Sequence, residues 1–126
     1  MRKESLLTYR IISAAIEVHR YLGPGLPEST YENCVCREFS DRGIAVERQV
    51  PLPVIYKGLM LDCGYRLDFL VEYGVVVELK AVALLEKIHE AQLLTYLRLT
   101  GRKPGLLLNF NVLLMKNGIK RIANGL

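Results

Sequence analysis

The sequence predicts a domain of α+β or mixed α/β class, with helices set against a sheet. Three observations carry this. Apolar residues recur at helical spacing near the start of the chain and again over residues 86–100. Residues 65–80 alternate apolar and charged side chains on two short runs. The order is helix, helix, several strands, helix, strands, which differs from a repeated βα unit.

Residues 5–22 form the first helix, with Leu7, Ile11, Ile12, Ala15, Ile16 and Leu22 on its apolar side. Gly23-Pro24-Gly25 breaks it. A second helix starts near Pro27 or Glu28, where proline suits the first turn, and runs to about Asp41 before Gly43. Strand signals follow at Ala45–Val50, Leu52–Tyr56 and Leu59–Cys63, the last two flanking a turn at Lys57-Gly58. In the third helix, over residues 86–100, the apolar set is Ile88, Ala91, Leu94, Tyr96, Leu97 and Leu99. Gly101 and Pro104 end it, and Gly105–Phe110 is an apolar run of strand length. Val112–Met115 and Ile119–Ile122 flank Lys116-Asn117-Gly118, whose Asn-Gly is a hairpin signal. No repeat or linker interrupts the chain, so a single domain over residues 1–126 is expected.

The chemistry concentrates in residues 65–80. A turn at Glu72-Tyr73-Gly74 joins two strands. Leu67, Phe69 and Val71 alternate with Arg66, Asp68 and Leu70; Val75, Val77 and Leu79 alternate with Val76, Glu78 and Lys80. A three-residue loop centred on Tyr73 places Asp68 directly across from Glu78, on the same face as Lys80. Two opposed carboxylates repel and destabilise a sheet. A divalent cation between them reverses that cost, and the ammonium suits an anionic substrate. This is the layout of a metal site for phosphate chemistry; a surface Glu-Lys pair beside an unrelated aspartate is the alternative.

The bulk numbers are compatible with such a partner. The chain is 51% hydrophobic and 24% charged with a net charge of +4, a globular balance with mild basicity. Cys34, Cys36 and Cys63 are odd in number and form no metal or disulfide pattern, so reduced thiols are expected. The N-terminus lacks the apolar core of a signal peptide. No apolar run approaches the roughly 20 residues of a membrane helix. Cytoplasmic residence is therefore the expectation.

The spacing Asp68 … Glu78-Leu79-Lys80 resembles the PD-(D/E)xK nuclease superfamily. Further segments extend the likeness: Gly25-Leu26-Pro27-Glu28-Ser29-Thr30-Tyr31, Ala15–Arg20, Val46–Val50, Tyr56-Lys57-Gly58, His89–Tyr96 and the tail from Asn109 to Arg121. In that order they are similar to the GxxExxY family of small bacterial and archaeal proteins, in which a leucine often stands at the place of Pro27. The resemblance implies a PD-(D/E)xK nuclease-like (restriction-endonuclease-like) core, a central mixed sheet flanked by helices. It implies a metal-dependent nuclease acting on phosphodiester bonds, or a non-catalytic nucleic-acid-binding or assembly module that retains the fold. Hydrolysis of a small phosphoester is a third option.

Asp68 and Glu78 are hard oxygen ligands suited to Mg²⁺ or Mn²⁺, with the Leu79 carbonyl completing the set. The nuclease resemblance adds Glu28 as a further carboxylate and Gln92 as a residue facing Lys80, water or phosphate. Glu28 also simply suits a helix N-terminus. The expected catalytic set is thus Asp68, Glu78, Lys80, Gln92 and Glu28. Arg66, Tyr96 and Tyr31 are the candidate substrate contacts: Arg66 for backbone phosphate, Tyr96 for a base or phosphate, and Tyr31 on the face of Glu28, where packing is the commoner role for a tyrosine. His19 and His89 are far apart and have no zinc spacing. Nucleic acid is the expected partner, DNA ahead of RNA, with self-association as one way for so short a chain to grip a duplex.

Overall fold

The computed structural model describes residues 3–125. Two helices, α1 (Lys3–Leu22) and α2 (Glu28–Asp41), precede the strands β1 (Val46–Pro51), β2 (Val54–Tyr56), β3 (Leu59–Leu61), β4 (Arg66–Val71) and β5 (Val75–Lys80). Helix α3 (Lys87–Thr100) then leads to β6 (Pro104–Asn109), a 3₁₀ turn (Met115–Gly118) and β7 (Ile119–Ala123). The main sheet has the order β1-β4-β5-β6-β7. It is mixed: β5 and β6 are parallel and the other neighbours antiparallel. A parallel pair needs a crossover, and α3 supplies it. Strands β2 and β3 form a separate two-stranded hairpin.

Alternation along the strands divides the core into two layers. On one face Phe69, Val71, Val75, Val77, Leu79, Leu106 and Leu108 pack against α1 (Ile11, Ala14, Ala15, Val18) and α2 (Tyr31, Val35, Phe39). On the other, Leu70, Val76 and Leu107 meet Leu93 and Leu97 of α3. This is the expected α/β sandwich with a central mixed sheet. Helix α3 comes close to the sheet at Gly105, where an added Cβ would lie 3.2 Å from Leu93 and Leu97.

Four details differ from the sequence reading. Helix α3 is buried through Leu93 and Leu97, while Ile88 and Leu99 are exposed. Its seam is a narrow i, i+4 pair resting on a glycine, so most of its apolar residues are not needed inside. Residues 112–115 are not a strand. Strand β7 pairs with β6, and Leu113 and Leu114 face solvent. Gly118 serves a close approach rather than a hairpin turn: a Cβ there would lie 2.0 Å from the Asn109 carbonyl oxygen. Leu67 leaves the face of Phe69 and Val71 and joins the α3 layer. That shift begins where β4 parts from β5.

Candidate active site

The β4–β5 ladder is regular next to its turn. Val71, Leu70 and Phe69 pair with Val75, Val76 and Val77. The turn has Glu72 and Tyr73 at φ 51° and 55° and closes through the Gly74 amide on the Val71 carbonyl at 2.9 Å. Continuing that register puts Asp68 opposite Glu78. The ladder stops there, and side chains replace it. The Asp68 amide donates to Glu78 Oε2 at 2.8 Å, and the Leu79 amide donates to Asp68 Oδ2 at 2.8 Å. Each acid therefore satisfies the backbone of the opposite strand, and the strands part around the pair.

Glu78 is 7% exposed. Burial, and then the charge of Asp68, push its carboxyl up to about 9. Lys80, two residues on, works in the opposite direction. Lys80 Nζ donates to Gln92 Oε1 at 3.4 Å, and Gln92 Nε2 donates to the Tyr96 hydroxyl at 3.0 Å. A chain of polar groups thus runs from the end of β5 onto α3. Burial and the Glu78 charge raise the Tyr96 phenol above its ordinary value.

Glu28 lies at the start of α2, with Pro27 in extended conformation just before it. Partial desolvation raises its carboxyl, followed by the charge of Asp68, with Lys80 opposing. Glu28 thus shares the electrostatic field of the pair. Among the described residues, no three His, Cys, Asp or Glu side chains gather closely enough to hold one ion. Glu28 is accordingly a neighbour of the Asp68–Glu78 pair, not a third side chain assembled with it.

Arg66 is exposed, and its guanidinium donates to the Gln49 carbonyl at 3.4 Å. Tyr31 departs from the expectation of a substrate contact. It is fully buried, stacked on Phe110 with ring centroids 4.6 Å apart. Its hydroxyl donates to the Gly23 carbonyl at 2.6 Å and accepts from the Leu26 amide at 3.2 Å, fixing the turn before α2. His19 is buried against the Val112 carbonyl, with Nε2 at 2.7 Å. His89 caps α3 by accepting from the Glu86 amide at 2.9 Å.

Two residues that strand alternation does not mark connect to Asp68: Gln49 directly, and Glu32 through it. Gln49 Nε2 donates to Glu32 Oε1 at 2.6 Å and to Asp68 Oδ1 at 3.4 Å. Glu32 sits one helical turn after Glu28, and that i, i+4 spacing was the available signal.

A family model described as the PD-(D/E)XK nuclease superfamily matches residues 5–122. The chain belongs to the PD-(D/E)XK nuclease superfamily. No curated protein and no solved structure gave a match. PD-(D/E)XK nucleases generally use divalent metal ions, and the donor set here fits one. Four ion pairs occur among the described residues, Arg20–Glu17, Arg37–Asp41, Arg42–Glu38 and Arg48–Glu32, and none involves Asp68, Glu78 or Glu28. Two hard-oxygen carboxylates lacking a basic ion-pair partner match what Mg²⁺-like ions take from a protein, with water filling the other positions. Among the described residues no helix is long and apolar enough to cross a membrane.

Proposed function

We propose that this PD-(D/E)XK protein is a metal-dependent nuclease of the GxxExxY type, cutting phosphodiester bonds of DNA in preference to RNA. The observation that carries the reading is the parting of β4 and β5 around Asp68 and Glu78, with Lys80 on the same strand. In this reading Asp68, Glu78 and the Leu79 carbonyl hold Mg²⁺ or Mn²⁺. When bound, the ion supplies Lewis acidity to the phosphodiester and lowers the pKa of a coordinated water.

The chain's own residues do the rest. Lys80 Nζ faces charge growing on the phosphate oxygens. Gln92 accepts from Lys80 and restricts where the ammonium points. Tyr96 accepts from Gln92, which leaves its phenolic proton free to donate to a phosphate or water. Glu28 adds negative charge at the edge of the pair, where a water proton can be received. Arg66, exposed at the start of β4, contacts a backbone phosphate.

The test is a cleavage panel in Mg²⁺ and Mn²⁺ over single- and double-stranded DNA and RNA, linear and circular. Cleavage that requires the metal and is lost in Lys80→Ala is expected. Metal-independent cleavage, or cleavage unchanged in Lys80→Ala, refutes the assignment.

One observation favours a second reading, a binding or assembly module that keeps the fold. The β2–β3 hairpin exposes Ile55, Tyr56, Leu59 and Met60. A clustered apolar surface of this kind marks an interaction site, and self-association through it would create a larger nucleic-acid-binding face. Sedimentation of the wild type and of Ile55→Asp separates the readings. In this second reading the variant is smaller than the wild type, and no substrate is cut.

A further inference from the structure

Among the described residues, four that are not glycine have positive φ: Gln49, Lys57, Glu72 and Tyr73. Lys57, Glu72 and Tyr73 lie in the turns of hairpins, where that conformation is required. Gln49, at φ 50°, lies inside β1. A left-handed conformation is disfavoured for a residue with a side chain and persists only where its surroundings impose it. No turn or glycine near Gln49 accounts for it.

The consequence falls on Asp68. Strand β1 pairs with β4 through Arg48↔Phe69 and Val50↔Leu67, so Gln49 stands opposite Asp68, yet that one pair is missing from the ladder. The Gln49 carbonyl turns to the Arg66 guanidinium. The Asp68 amide, released from β1, donates to Glu78 Oε2 instead. The Gln49 side chain acts on the same residue. Its Nε2 lies between two carboxylates, Glu32 Oε1 at 2.6 Å and Asp68 Oδ1 at 3.4 Å. Only the donor end of an amide suits that place. Glu32 is braced in turn by Arg48, whose Nη2 donates to Glu32 Oε2 at 2.8 Å and to Asn33 Oδ1 at 2.7 Å.

We propose that Gln49 is the positioning residue of the Asp68–Glu78 pair. Its left-handed backbone hands the Asp68 amide to Glu78, and its amide group, held by Glu32, fixes the free oxygen of Asp68. The inference rests on the reading of that pair as the metal site. Gln49 itself does not touch the ion; it sets the angle and separation of the two ligands that do.

Two variants separate backbone from side chain. A β-branched residue resists positive φ, so Gln49→Val restores the ladder opposite Asp68 and removes the amide as well. Gln49→Gly accepts the left-handed backbone and removes only the amide. Residues that orient metal ligands are typically worth about 10–100-fold in affinity. Calorimetric titration with Mn²⁺ should therefore show Kd raised about tenfold or more in Gln49→Val. A smaller rise is expected in Gln49→Gly. The second readout needs no metal. Glu78→Ala, which removes the acceptor, should shift the Asp68 amide resonance strongly in the wild-type background and weakly in the Gln49→Val background.

An equal amide shift in both backgrounds overturns the proposal. So does an Mn²⁺ affinity unchanged in both variants. A wild type that binds no Mn²⁺ defeats the metal-site reading instead, and the amide shift still decides the role of Gln49. If Gln49→Val does not fold, the Mn²⁺ affinity of Gln49→Gly decides: a raised Kd supports the proposal and an unchanged one overturns it.

Discussion

Replacing Glu78 with glutamine should stabilise the metal-free protein at neutral and alkaline pH. Glu78 is buried, and burial together with the Asp68 charge pushes its carboxyl from 4.5 up to about 9. The sign follows from proton linkage. Between those two values the folded state holds a proton that the unfolded state has lost, so stability falls as pH rises. The stabilisation is complete below pH 4.5 and is lost through about pH 9. Each pH unit in that window is worth about 1.4 kcal/mol, which places the loss by neutral pH on the order of 3 kcal/mol. For a domain of this size that is a Tm difference of about 10 °C. Glutamine copies the protonated acid: its carbonyl can still accept from the Asp68 amide, and its NH₂ can donate to the Asp68 carboxylate. The assay is thermal unfolding of wild type and Glu78→Gln in chelator, from pH 5 to pH 9. Taking the difference between the two proteins cancels the other titrating groups. The Tm advantage of the variant should grow with pH. A constant difference, or a variant that loses stability as pH rises, refutes the reasoning.

Other outcomes follow from the same geometry. Tyr31→Phe leaves the Gly23 carbonyl and the Leu26 amide without their partner, and should cost about 1–3 kcal/mol in denaturant unfolding. Gly118→Ala sets a Cβ 2.0 Å from the Asn109 carbonyl oxygen. Backbone cannot yield there cheaply, so a loss of about 3 kcal/mol is expected in the same measurement. Lys80→Ala should lower kcat by about 10²–10³ while Mn²⁺ binding is retained, as read by single-turnover cleavage and by calorimetry. Mn²⁺ at about one hundred times its Kd should stabilise the wild type by about 2.7 kcal/mol, and Glu78→Gln far less, in thermal unfolding.

Much of the fold and of the carboxylate pair was legible because both depend on period-two alternation and one turn. Leu70 and Val76 on the charged face, with Phe69, Val71, Val75 and Val77 opposite, follow from counting along β4 and β5. The register across Glu72-Tyr73-Gly74 brings Asp68 to Glu78 by the same count. Counting fails where the backbone leaves its regular path. Leu67 crosses to the other layer once the ladder opens at Asp68, and an alternation rule has no means of showing that. Gln49 is an ordinary polar residue for a strand, and its positive φ goes with tertiary contacts to Glu32 and Asp68 that lie 17 and 19 residues away in sequence. The segment 112–115 misled because apolar composition was read as burial, yet Leu113 and Leu114 are exposed. Asn117-Gly118 misled because the glycine answers to a neighbouring carbonyl rather than to a turn.

The central claim is that the parted strands at Asp68 and Glu78 form a two-carboxylate cation site. Titration calorimetry with Mn²⁺, on the wild type and on Asp68→Asn, tests it most directly. One ion per chain is expected in the wild type, with binding lost or weakened by about tenfold or more in the variant. No binding by the wild type, or equal binding by Asp68→Asn, would contradict it.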